Sequence, residues 1–426
     1  DHAGMSESAV RIAIVGAGIS GLSCALRVQE LGGSPVLIDA NSRVGGRVAT
    51  EPSHGFLIDR GFAILLVAYP EARRLLDHER LRLRRFEPGA LVWDGRAFRL
   101  VPHPLRRPLA AVRAVLSGVV GVRDAAAVLP LAIRAVLRRP AFPRVAGRSV
   151  ADTIARGMRP TFVESFLRSF FGGVFLDRSL GTDLGQLEFC LSMFAAGAAA
   201  VPSGGMAEIP RQMAADLPPG SFRLGSRAVA VDGQGVTLAD GGREPADAVV
   251  VATEMDECGR LLGEKTSPRP WQSTAMLAFD LPAEEAGRGI LLLDGTGEGP
   301  INHACFISSV APNYAPSGRG LLYANVVDPE ALALGDPDLA ARARSQLARW
   351  FPTSRVSDWS LRRVVRIARA LPRQHPEDLA APRPTQVAPR LFRCGDHLAD
   401  GSLNGAMRSG RLAADAAVAA ARGARS

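Results

Sequence analysis

Residues 10–39 carry the pattern that most constrains what this chain can fold into. Residues 10–15 (VRIAIV) form a short β-branched run with period-two alternation, as in a buried parallel strand. The run leads directly into Gly16-Ala17-Gly18-Ile19-Ser20-Gly21. Leu22, Ala25, Leu26 and Leu31 then keep helical spacing until Gly32-Gly33 stops the helix. A second apolar strand, Val36-Leu37-Ile38, ends at Asp39. Strand, glycine turn, helix, strand and acid together predict a cradle for a dinucleotide. Gly16 permits the tight turn, Gly18 lets backbone approach a pyrophosphate, and Gly21 allows helix and strand to pack closely. The helix N-terminus offers unpaired N–H groups and the positive end of its dipole to that pyrophosphate. Asp39 can accept both hydroxyls of an adenosine ribose, and its charge would repel a 2′-phosphate. NAD and FAD both satisfy this pattern.

The chain has 426 residues, two or three times the usual single-domain length. At 47% hydrophobic and 22% charged residues it can bury a large core, which argues against disorder. Five cysteines without a CxxC pair exclude a disulfide scaffold and a Cys-rich zinc module, so no metal site is expected and a reducing compartment is. The net charge of +9 invites a nucleic-acid reading. Lys265 is the only lysine, however, and near-total use of arginine beside abundant Ala and Gly points to genomic base composition rather than a phosphate-binding face. The densest basic run, Arg80–Arg85 (RLRLRR), alternates with leucine and reads as a half-buried strand. No nucleic-acid partner is expected. The most apolar stretch, Ala125–Leu137, is interrupted by Pro130 and Arg134 and cannot span a bilayer. Asp1–Gly4 before Met5 read as a tag remnant, and no signal segment follows, which suggests a cytoplasmic protein.

Past Asp39 the chain continues Arg43-Val44-Gly45-Gly46-Arg47 and then Gly55-Phe56-Leu57-Ile58-Asp59-Arg60-Gly61. Here it resembles the flavoprotein superfamily of amine oxidases, protoporphyrinogen oxidases and phytoene desaturases, whose fingerprint runs past the ribose acid into an R-x-G-G-R stretch. The resemblance implies FAD rather than NAD. It assigns Gly16, Gly18, Ile19, Ser20, Gly21, Asp39, Ala40, Arg43, Gly45, Gly46, Arg47, Asp59 and Gly61 to the cofactor. Two arginines supply charge-assisted bonds to a diphosphate, and paired glycines admit an extended dinucleotide.

The likeness continues at residues 203–214, a glycine turn into a helix, and through short strands ending in Val249-Val250-Val251-Ala252-Thr253. It implies that Val229 holds the adenine through its backbone and that Ala252 lies on the cofactor. The last segment, Leu391-Phe392-Arg393-Cys394-Gly395-Asp396 followed by Gly401–Arg411 and an Ala-rich helix, resembles the closing motif of the family. By that likeness Gly395 and Asp396 meet the ribityl chain, while Leu403, Asn404 and Ala406 sit at a helix N-terminus facing the flavin. A helix N-terminus suits that edge because it stabilises developing negative charge. The implied fold is α/β: a Rossmann-type FAD-binding domain from residues 1–70, 201–256 and 385–426, interleaved with an α+β substrate-binding domain from 71–200 and 257–384.

Within the superfamily two departures point away from the amine oxidases. Their pair of aromatic rings has no counterpart in residues 386–410, where Phe392 is the only aromatic residue. Their lysine is also absent from the matching strand, Ser273–Phe279, and Lys265 reads as a surface residue. Residues 159–177 and 187–194 concentrate seven of the seventeen phenylalanines and no other aromatic residue, and suit a cavity for a long apolar molecule. The expected activity is therefore hydride removal from a bulky, isoprenoid- or carotenoid-like substrate to the flavin N5, forming a double bond. Oxidation of a C–N bond in a large amine is the alternative, and oxygen and a quinone both stay open as electron acceptor. His397, Glu164, Glu188 and His303 are the candidate proton acceptors. Residues 105–139 place arginines 106, 107, 113, 134, 138 and 139 beside Leu/Val/Ala runs, a pattern that suits a helix packed on its own protein or peripheral contact with an anionic membrane.

Overall fold

The computed structural model describes residues 9–138, 142–264, 270–381 and 383–424. Arg139, Lys265 and the segment before Met5 lie outside them. The chain opens with strand β1 (Arg11–Val15), helix α1 (Ile19–Glu30) and strand β2 (Ser34–Asp39). It then leaves for helices α2 (Pro108–Leu116), α3 (Val122–Arg138), α4 (Arg168–Phe175) and α5 (Leu184–Ala196). Strands β3 (Phe222–Leu224) and β4 (Ala248–Val251) bring it back, and β5 (Leu391–Arg393) with helix α6 (Leu403–Gly423) close it.

Three distant stretches of chain thus build one parallel sheet in the order β3-β2-β1-β4-β5, with Gln386–Ala388 added antiparallel at the edge. Past Arg11, β1 and β4 are buried on both faces, so the alternation expected of residues 10–15 does not mark a solvent face. Helices α1 and α6 cover one face in backbone contact. A Cβ on Gly410 would lie 2.1 Å from the Ser20 carbonyl oxygen, and the hydroxyls of Ser20 and Ser23 donate to the carbonyls of Ala406 (2.9 Å) and Met407 (2.7 Å). The run Ala413, Ala414, Ala417 and Ala421 is what lets the two helices approach so closely.

A second, seven-stranded sheet stands beside the first. Its order is 360–372, 271–282, 319–326, 303–306, 291–294, 90–93 and 98–101, all antiparallel except the pair 90–93 with 291–294. Residues 71–200 therefore contribute two strands as well as helices. The helices α2–α5 lean over this sheet around a Phe-rich cluster that includes Phe162, Phe171 and Phe175. The expected strand at 80–85 shrinks to Arg84–Arg85, because Arg82 turns the chain with φ +48°. Among the described residues no helix is long and apolar enough to cross a membrane.

Candidate cofactor and substrate site

One cavity of about 1130 Å³ runs from the glycine turn after β1 to the helices α2–α5. At its first end Gly16 takes φ +111°, and a Cβ there would sit 2.7 Å from the Ala252 carbonyl oxygen. Gly21 is closed in the same way by the Gly16 carbonyl at 1.9 Å, whereas a Cβ on Gly18 would meet nothing within 4 Å. The turn is therefore sealed toward the sheet and open toward the cavity. No side chain caps α1, so its first-turn N–H groups are left to whatever fills the space beside Gly18, Ile19 and Ser20. Asp39 is fixed at the end of β2, where its Oδ2 accepts from the Ala17 amide (2.8 Å) and its Oδ1 from the Asn41 amide (2.8 Å).

Ala40, Arg43, Gly45, Gly46, Arg47, Gly61 and Ala252 line the same end, as do Gly395, Asp396, Leu403 and Ala406. Arg47 ties the sheet together: it donates to Asp396 Oδ2 (2.6 Å) and to the Ala370 carbonyl (2.8 Å), and its guanidinium lies over the Trp271 ring. Thr253 lines the cavity with a buried hydroxyl that has no hydrogen-bond partner among the described residues. A helix N-terminus without a cap, a carboxylate at ribose distance in sequence, an open Gly18 and an orphan hydroxyl fit a dinucleotide with an attached ring system.

Seven expected site residues lie off the cavity wall, the first being Gly21, which packs against the Gly16 carbonyl. Asp59 is buried behind it, where it accepts from Thr50 Oγ1 (2.5 Å), the Met206 amide (2.9 Å) and the Tyr314 hydroxyl (2.8 Å). It is a structural hub rather than a cofactor ligand. Val229 is exposed at a β-bulge, and the wall there is made by Arg227 and Ala228. Asn404 is turned inward by the helical rotation between Leu403 and Ala406, and its Oδ1 accepts from the Glu71 amide (3.1 Å). His397 is buried beneath Gly395, whose Cβ would strike its ring at 2.4 Å. Glu164 is exposed and paired with Arg168 (2.8 Å), and Glu188 pairs with Arg134 (3.2 Å).

His303 does line the cavity, beside Phe62 at 5.1 Å between ring centroids. Burial pushes its imidazole down to about 3, so it is neutral, and the Asn302 amide Nδ2 at 3.0 Å donates to Nδ1 and leaves the proton on Nε2. It is a hydrogen-bond donor rather than a proton acceptor. The sequence reading missed Arg60, Phe62, Tyr69, Thr253, Gly401 and Ser402, which also line the cavity. Arg60 and Thr253 directly neighbour predicted positions, but Tyr69, stacked on Phe189, carried no signal.

Burial pushes the Asp59 carboxyl up to about 6. The folded state therefore binds this proton more tightly than the unfolded chain, whose Asp titrates near 4. The resulting stabilisation is complete below about pH 4 and is lost as pH rises through about 6. In urea unfolding, wild type should lose about 2 kcal/mol relative to Asp59→Asn between pH 4 and pH 7. A difference that stays constant across that range would refute the assignment.

Fold and site together define a dinucleotide-binding α/β architecture. The model of the flavin containing amine oxidoreductase family matches residues 19–418, and the chain belongs to that family; its cofactor is FAD. Protoporphyrinogen oxidase 2 of Arabidopsis thaliana is 35% identical over 88 residues, 21% of this chain and 17% of that protein. The 4,4'-diapophytoene desaturase of Staphylococcus aureus is 36% identical over 58 residues, 14% of this chain and 12% of its own length. The chain thus spans less than a fifth of either relative. Among solved structures, an oxidoreductase from Methanosarcina mazei superposes with a TM-score of 0.73 at 16% identity, covering 95% of this chain and 100% of that one. Cyclohexylamine oxidase from Brevibacterium oxydans gives 0.67 at 20% identity, covering 98% and 100%. At such identities the likeness concerns the fold.

Proposed function

We propose that this FAD-dependent oxidoreductase removes a hydride from a bulky apolar substrate, isoprenoid- or carotenoid-like, and leaves a double bond. The observation that carries the reading is the far arm of the cavity, walled by Phe162, Phe166, Phe170, Phe171, Phe194 and the aliphatic faces of α2, α3 and α5. In this reading residues 1–70, 201–256 and 385–426 form a Rossmann-type FAD-binding domain, and 71–200 with 257–384 form the substrate domain. FAD supplies a hydride acceptor at N5 when bound. Asp39 would hold the ribose, the first turn of α1 with Arg43 and Arg47 the pyrophosphate, Asp396 the ribityl chain, and the start of α6 the ring edge.

The protein's own part is orientation and exclusion of water. The Phe rings desolvate the substrate and hold its reacting carbon at the junction of the two arms. His303 presents Nε2–H beside Phe62 as a neutral donor. Hydride removal leaves an electron-poor carbon, beside which the neutral imidazole adds no charge, and the neighbouring carbon closes the double bond by releasing its proton to solvent.

A large amine is the second reading, and Glu87 favours it. This carboxylate lies on the cavity wall, and ion pairs with Arg288 and Arg107 (3.2 Å) hold it below the usual carboxylate range. Because two guanidiniums already meet this carboxylate, an ammonium group would bind there by taking the place of one of them. Anaerobic bleaching of the purified yellow protein separates the two. Polyprenoids and carotenes should bleach the flavin, with aliphatic amines inert. Bleaching by amines alone, with an aldehyde or ammonia released on reoxidation, would replace the first reading by the second.

A further inference from the structure

Ten of the thirteen exposed large apolar side chains among the described residues fall between Leu105 and Val145. They are ordered. Leu105, Leu109, Val112 and Leu116 recur at helical spacing along and just before α2, with Leu109 78% and Leu116 81% exposed. Val122, Leu129, Ile133 and Leu137 do the same on α3, with Leu137 77% exposed. The opposite faces of these helices are apolar too: Ala114 and Val115 on α2, and Leu131 and Ala135 on α3, line the cavity. A helix that is apolar on both faces has a second apolar environment to meet beyond its own core.

Charge identifies that environment. Arg106, Arg113, Arg123 and Arg134 are exposed around the two stripes. The acid within α3, Asp124, is fully buried and paired with Arg159 (2.6 Å). Arginines flanking an apolar stripe match the anionic headgroups above a hydrocarbon layer. A symmetric contact between two copies would instead set these arginines against one another. Leu105 and Leu129 are both exposed and part of the cavity wall, so the cavity opens within the stripe itself.

We propose that the outer faces of α2 and α3 seat the protein on an anionic lipid surface, with the cavity mouth at Leu105 and Leu129 opening into the lipid. The apolar substrate then enters from the bilayer without crossing water. What enters rests on the function proposed above; the seating on lipid does not.

The test is vesicle flotation of the full-length, FAD-loaded protein, without substrate, on phosphatidylcholine vesicles and on vesicles also containing phosphatidylglycerol. The wild type should bind the anionic vesicles about tenfold more than the neutral ones, and Arg113→Gln should lower binding by about threefold. The double variant Leu116→Glu/Ile133→Glu alters no cavity-lining residue and should keep its flavin absorbance while losing binding by about tenfold or more. Failure of the wild type to float at low salt would overturn the proposal. So would a dimer in light scattering that the double variant dissociates. Because no turnover is measured, a protein that floats but never bleaches with alkenes defeats only the substrate reading.

Discussion

Gly18→Val should fold normally and purify without colour. Gly18 has φ −75° and ψ −177°, an extended geometry open to any residue, and its Cβ would point into space with no atom within 4 Å. The added side chain therefore meets open space at its Cβ and occupies the volume where the pyrophosphate must approach backbone. FAD affinity should fall about 100-fold, roughly 3 kcal/mol, with the circular dichroism spectrum and thermal midpoint of the apoprotein unchanged. Gly21→Val is the control with the opposite signature. Its Cβ would lie 1.9 Å from the Gly16 carbonyl, so the strand–helix contact itself is lost and little folded protein should accumulate. Full flavin occupancy in Gly18→Val would mean that the dinucleotide does not lie on this turn.

That contrast also explains what could be read from the chain. The cradle is built from consecutive residues: β1, the glycine turn, α1 and β2 take their form from local spacing, and all four stand where the pattern puts them. The closing motif was legible for the same reason, since Gly395, Asp396 and the start of α6 are contiguous. The errors come from partners far away in sequence. Asp59 follows an apolar run and looks like a ligand, but Met206, Tyr314 and Tyr323 claim it for the core. Gly61, two residues further along the same stretch, does reach the cavity. At 80–85 the leucine–arginine alternation predicts a strand, and a single positive φ at Arg82 cancels it. His397 and Asn404 show the finer limit. Each lies one residue from a wall residue, and one step along a turn or helix rotates a side chain from the cavity into the core.

At the cavity wall an ion pair joins the cradle to the closing motif, beside the hydrogen bonds of Ser20 and Ser23, and breaking it has the second large effect. Arg47 and Asp396 are 349 residues apart in sequence, 2.6 Å apart in space, and largely shielded from water, with side chains 29% and 10% exposed. Arg47→Ala leaves the Asp396 carboxylate without its partner at the cavity wall and also frees the Ala370 carbonyl on the long strand 360–372. Asp396→Ala leaves the guanidinium over Trp271 without its counter-charge. Truncating one member of a shielded pair costs about 2–5 kcal/mol, so either variant should lower FAD affinity by about 30-fold or more. The double variant should be barely worse than either single one, because the second truncation removes a charge that the first had already stranded. Titration of the apoproteins with FAD, followed by flavin fluorescence quenching, reads all four affinities. Additive losses would show that the two residues meet the cofactor independently and that their ion pair contributes nothing to binding.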